Sequence, residues 1–160
     1  MSFDIHLMAF QHGKHATANR EAARAYVDTI EYRFEPEFNA YILTLHDGAH
    51  VEMYASDLYT DAKPFDGAMI SLRGHFSDSI CDFICNMCLA SACIAIPSMQ
   101  KCCALVPEEG MIGDLPDGFT DDFPVVPVRS GQDVGVALKR GYDAWTILRD
   151  RVLRDARNSG

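Results

Sequence analysis

The chain has 160 residues, 48% of them hydrophobic and 10% aromatic, with 23 acids against 14 bases for a formal charge of −9. This composition fits one globular domain, excludes a disordered chain, and contains no apolar run near the ~20 residues of a membrane helix. The opening Met1-Ser2-Phe3-Asp4 lacks the basic and apolar regions of a secretory signal, so a cytoplasmic protein is expected. Six cysteines, two of them adjacent at Cys102-Cys103, predict reduced thiols rather than a disulfide framework.

In chain order, Phe3, Ile5, Leu7 and Ala9 alternate with Asp4, His6, Met8 and Phe10, the period of a strand. The polar stretch Gln11–His15 reads as a loop. Thr17 or Asn19 then caps a helix with Ala23, Tyr26, Val27, Ile30 and Phe34 on its apolar face, ended by Pro36. On its outer face Arg24 and Asp28 stand four apart and are expected to pair.

Tyr41–Leu45 and Val51–Ala55 alternate around Asp47-Gly48 and predict a hairpin, because glycine accepts the positive φ of the turn. Met69–Arg73 reads as a further strand. Ser77 or Ser79 opens a second helix carrying Ile80, Phe83, Ile84, Met87 and Ser91 on one face. Cys93–Ile96 and Cys102–Val106 read as short strands, and residues 107–124 as a long surface loop rich in Pro, Gly and Asp. Val125–Val128 is a short strand that its proline assigns to a sheet edge.

Ser130-Gly131-Gln132-Asp133 resembles a capping box opening a last helix. That helix carries Val134, Leu138, Gly141, Trp145, Leu148 and Val152 at spacings of four and three. Core packing explains such a seam. A homodimer through it is the alternative, since Trp145 is the lone tryptophan and tryptophan often anchors interfaces. The predicted fold class is α+β: a single domain with a mostly antiparallel sheet and about three helices packed on it.

The charge is uneven. Residues 34–128 hold fifteen acids against three bases (Lys63, Arg73, Lys101), while residues 129–160 are net positive by three. The one basic stretch, Arg149, Arg151, Arg154 and Arg157, is interleaved with acids and falls where a helix C-terminus would be offset by it. Nucleic acid is therefore not an expected partner, whereas a basic protein is.

Cys81, Cys85 and Cys88 follow i, i+4, i+7 spacing on the flank of the second helix. Cys85-Asn86-Met87-Cys88 is formally C-x-x-C, a redox or metal-clip spacing, but it sits past the helix start and no second knuckle accompanies it. A buried, inert role is the plain reading. Cys81 is the best placed for a reactive thiol, near the first helical turn, with His75 as its base if the two face each other; Asp78 and Asp82 oppose its thiolate.

His46 and His50 bracket the hairpin turn, and His12 and His15 share the first loop; neither pair has a metal-binding helical spacing. The acidic loop carries Glu108, Glu109, Asp114, Asp117, Asp121 and Asp122 but lacks the spacing of a calcium loop. No phosphate-binding glycine motif, nucleophile elbow or triad order is present, and no cofactor is expected.

The segment Met1–Leu7 with Phe10 and Gly13, and the segment Phe123–Val128 with Ser130-Gly131-Gln132-Asp133-Val134, resemble the two ends of a group of small bacterial proteins that open with a Phe-Asp strand. The group has no assigned activity, so the resemblance implies a bacterial origin and a shared fold only. The cysteine-rich helix departs from it.

The expected function is a non-enzymatic interaction module with the acidic middle as contact surface; a specific form is an immunity-type protein that masks a basic toxin. The alternative is a thiol- or metal-dependent enzyme or redox protein using the Cys81–Cys88 helix.

Overall fold

The computed structural model describes residues 2–98, 103–139 and 154. The fold is α+β, built on one sheet whose strands pair antiparallel except at one edge. The alternation from Phe3 to Phe10 produces β1 (Ser2–Gln11), in the middle of the sheet. Its Ile5, Leu7 and Ala9 enter the core while Asp4, His6, Met8 and Phe10 take the opposite face.

The polar stretch after it is not an open loop. His12 and Gly13 both have positive φ (51° and 75°) and form a two-residue turn into β2 (Lys14–Ala16). Asn19 caps α1 (Arg20–Val27), its side-chain oxygen accepting the Ala22 amide at 3.1 Å.

The expected extension of this helix to Phe34 is corrected. It stops at Val27, and the Thr29 hydroxyl and amide both donate to the Tyr26 carbonyl, at 2.7 and 3.0 Å. Two β-branched residues, Thr29 and Ile30, weaken the helix there. The alternating Glu31-Tyr32-Arg33-Phe34-Glu35 then forms β3 (Glu31–Glu35). The expected Arg24–Asp28 pair is also not made. Arg24 donates to the Leu58 carbonyl at 3.1 and 2.9 Å, and Asp28 accepts the Tyr59 hydroxyl.

The hairpin of β4 (Ala40–Thr44) and β5 (His50–Tyr54) turns at Asp47-Gly48, with Gly48 at φ 83°. Next come β6 (Gly67–Arg73), α2 (Asp78–Ser91) and β7 (Ile94–Pro97). Both β6 and β7 run antiparallel to β1, so they are parallel to each other and α2 is the crossover between them. Finally β8 (Ala104–Val106) pairs parallel with β9 (Val125–Pro127). The spatial order β3-β4-β5-β6-β1-β7-β8-β9 leaves β3 and β9 as edges, and Pro127 lies on its edge as expected.

Helices α1, α2 and α4 (residues 131–139) share one apolar core with the inward side of the sheet. Leu43, Met53, Ile70, Phe83, Ile84 and Met87 are all essentially inaccessible there, each such side chain contributing about 1.5–3 kcal/mol. Val134 and Leu138 of the last-helix seam are buried in this core. Gly141, Trp145, Leu148 and Val152, and with them the homodimer expected through Trp145, lie outside the described residues.

Residues 107–124 also depart from the expectation. The segment is not a free surface loop but a lid: a 3-10 helix (Glu109–Asp114) and α3 (Phe119–Asp122). It folds over the opposite side of the sheet at the β9 end. Met111, Leu115, Phe119 and Phe123 pack there on Phe10, Ile94, Ala104 and Val106 as a separate small core.

Candidate functional site

The sequence proposes several groups of residues for chemistry. On α2, Cys81, Cys85 and Cys88 are all buried in the main core. Burial is the largest influence on each thiol and raises its pKa; Cys81 is pushed up to about 11, with Asp78 and Asp82 adding to the effect. A thiol so placed is neutral at physiological pH and largely shielded from solvent. His75 is exposed in the link between β6 and α2, whereas Cys81 is buried in the core. Among the described residues no three His, Cys, Asp or Glu side chains are arranged to hold a metal ion.

A second cluster escapes sequence reading because its partners are 33 positions apart. The β4–β5 turn lies against the N-terminus of α2. Ser77 caps the helix, its hydroxyl accepting the Ile80 amide at 3.3 Å. The Ser79 hydroxyl lies 3.2 and 3.1 Å from the two ring nitrogens of His46. Asp47 accepts the Ala49 amide at 2.9 Å, which lowers its carboxyl pKa; Ser77 and Ser79 act in the same direction.

Serine, histidine and aspartate together invite a catalytic reading, but the geometry opposes it. An oxygen nearly equidistant from both imidazole nitrogens cannot lie along the in-plane lone-pair direction of either, so neither nitrogen is positioned to take its proton. Ser79 is also 4% exposed. The cluster clamps the hairpin turn onto a helix end, where a carboxylate is favourable.

The side of the sheet away from the helices carries, over β4–β6, Ile42 and Met69 among polar side chains that bond to one another. Ser71 donates to Asp4 at 2.7 Å, Glu52 accepts both the Tyr54 hydroxyl and Arg73 at 3.3 Å, and Thr44 meets His50 at 3.3 Å.

The lid is different. Glu108, Glu109, Asp117, Asp121 and Asp122 are exposed on it, and residues 107–124 contain no lysine or arginine. Arg129 pairs with Glu109 at 3.2 Å, both groups being largely exposed. Asp114 instead faces the β1–β2 turn, where its carboxylate accepts the His12 amide and its carbonyl the Gly13 amide, each at 3.0 Å. It therefore ties the lid to that turn. The other acids are thus carried on a segment fixed by this tie and by the small apolar core beneath it.

No family model, curated protein or solved structure matches the chain. Among the described residues no helix is long and apolar enough to cross a membrane.

Proposed function

We propose that the protein is a non-enzymatic interaction module that presents the acidic lid to a basic protein partner. The observation that carries this reading is the combination of an all-acidic segment with a firm anchorage. Glu108, Glu109, Asp117, Asp121 and Asp122 project from a lid held down by Met111, Leu115, Phe119 and Phe123. A pre-ordered array of like charge attracts a cationic partner over roughly a Debye length, about 10 Å at 0.1 M salt, and loses little freedom on binding. An immunity-type role, in which the lid masks a basic toxin, is the specific form of this reading. The buried free thiols Cys81, Cys85, Cys88 and Cys93 suit a reducing cytoplasm.

The test compares the natural chain with a variant carrying Glu108→Gln, Glu109→Gln, Asp117→Asn, Asp121→Asn and Asp122→Asn. Each is used as bait in extract of its source cell at low salt. A basic protein retained by the natural chain, released as salt rises and lost by the neutralised variant, supports the reading. Equal retention by both baits, or none by either, overturns it.

A further inference from the structure

The β3 edge lies at the opposite end of the sheet from β9, and four strand spacings of ~4.8 Å separate it from β1, the nearest strand that the lid covers. Among the described residues no strand pairs with its outer side, so Glu31–Glu35 presents a row of unpaired backbone donors and acceptors. The other edge, β9, has three residues and ends in Pro127. Natural edges are commonly blunted by a proline, a bulge, charged side chains or a covering segment. Strand β3 has neither of the first two, pairing residue for residue with β4 from Glu31↔Thr44 to Glu35↔Ala40.

The two sides of β3 differ in kind. Tyr32 and Phe34 stand opposite Leu43 and Tyr41, on the helix-bearing side, and remain 38% and 43% exposed. They join an aromatic wall: Phe34 to Tyr41 at 4.9 Å, Tyr32 to Tyr41 at 5.7 Å and Tyr32 to Tyr59 at 5.9 Å between ring centres. Phe38, in the turn to β4, is 62% exposed beside this edge. Glu31, Arg33 and Glu35 form a minus-plus-minus row on the opposite side, with Arg33 bonded to Glu35 at 2.7 Å.

This row discriminates between occupants. A second copy pairing antiparallel over the full strand would set Arg33 against Arg33 and Glu31 against Glu35, like charges directly opposite, which is destabilising. Sliding the copy by two residues matches the charges but leaves only three residues of each strand paired. Full-length antiparallel pairing with a second copy is thus disfavoured, while the ladder and the apolar wall stay open.

We infer that β3 is a docking edge for an extended segment of a protein partner with a plus-minus-plus row on one side and apolar residues on the other. Such a segment adds a ninth strand to the run of eight, its bases opposite Glu31 and Glu35, its acid opposite Arg33, and its apolar side chains against Tyr32 and Phe34. The pattern is symmetric, so it fits in either strand direction. This surface is separate from the lid and stands or falls without it.

The experiment titrates the full chain with two labelled peptides of identical composition. One has the core Lys-Val-Glu-Val-Lys-Glu and the other Glu-Val-Lys-Val-Glu-Lys, each flanked by Gly-Ser. Anisotropy reads binding, and hydrogen exchange reads the amides of residues 31–35. The expected result is at least tenfold tighter binding of the first peptide with slowed exchange in β3. The exposed-charge variant Glu31→Lys, Arg33→Glu, Glu35→Lys should reverse the preference with the lid unaltered. Equal binding of both peptides, no binding of either, or protection confined to other strands overturns the inference. So does concentration-dependent protection of β3 without peptide, which would assign the edge to a second copy.

Discussion

The Cys93 amide donates to the Cys88 carbonyl at 3.0 Å, and the Ala92 amide between them donates to the Leu89 carbonyl at 3.4 Å. These two bonds close the C-terminus of α2 and require Ala92 to adopt φ 56°. Glycine usually occupies that left-handed position, because a Cβ crowds the following carbonyl there. Cys88 and Cys93 supply the apolar contact that accompanies the motif, and both are fully buried.

Ala92→Gly should therefore stabilise the fold, by about 1 kcal/mol, since the side chain removed is exposed and the strain relieved is local. Urea unfolding of the two proteins checks this. A midpoint unchanged or lowered would mean that the left-handed turn is not under strain.

Gly131 and Gly135 of α4 should respond differently to alanine. A Cβ on Gly131 would stand 2.7 Å from the Asp82 amide nitrogen and 2.9 Å from its Cα, inside contact distance with backbone that cannot step aside. Overpacking of this kind destabilises by about 1–3 kcal/mol. A Cβ on Gly135 would meet the Cys81 sulfur at 3.4 Å, and alanine is the better helix former by up to ~1 kcal/mol. Thermal melts should place Gly131→Ala below the natural chain and Gly135→Ala level with it or above. The reverse order would remove the close α4–α2 crossing.

The parts of the fold legible in the sequence are those whose signals are local. Strand β1 follows from its alternation, the β4–β5 hairpin from Asp47-Gly48, and the start of α2 from Ser77. Strand β3 is hidden because Ile30 and Phe34 extend the helical period of Tyr26 and Val27, while Tyr32 and Phe34 equally satisfy a period of two. The lid is hidden although Met111, Leu115, Phe119 and Phe123 recur every four residues. Gly113, Pro116 and Gly118 break that period into short pieces, and what they cover is a second face of the sheet that no local pattern announces. The lid's acids are legible as charge. Their anchorage through Asp114 to His12, 102 positions away, is not.

The thiols of α2 and of Cys93, which precedes β7, should be chemically silent in the native state. With Cys81 and Cys93 both pushed up to about 11 by burial, only about one thiol in a thousand is ionised at pH 8. Iodoacetamide at that pH, followed by mass analysis of peptides, should leave Cys81, Cys85, Cys88 and Cys93 unmodified until urea unfolds the chain. Rapid native labelling of Cys81 would restore the thiol-enzyme reading that its burial opposes.

Asp47 predicts a pH dependence with a definite sign. The Ala49 amide, with Ser77 and Ser79, holds its carboxyl below the ordinary 3.8, so folding favours the carboxylate. The contribution is complete above 3.8 and is lost as pH falls through the lower folded-state value. Asp47→Asn keeps the size of the side chain and cannot ionise. The natural chain should thus be more stable than the variant at neutral pH, and the gap should close as pH falls through and below that range. Paired urea titrations from pH 7 down to about 3 measure the gap directly. A gap that stays constant with pH would mean that the turn is held to α2 by shape and neutral hydrogen bonds alone, with no share from the carboxylate charge.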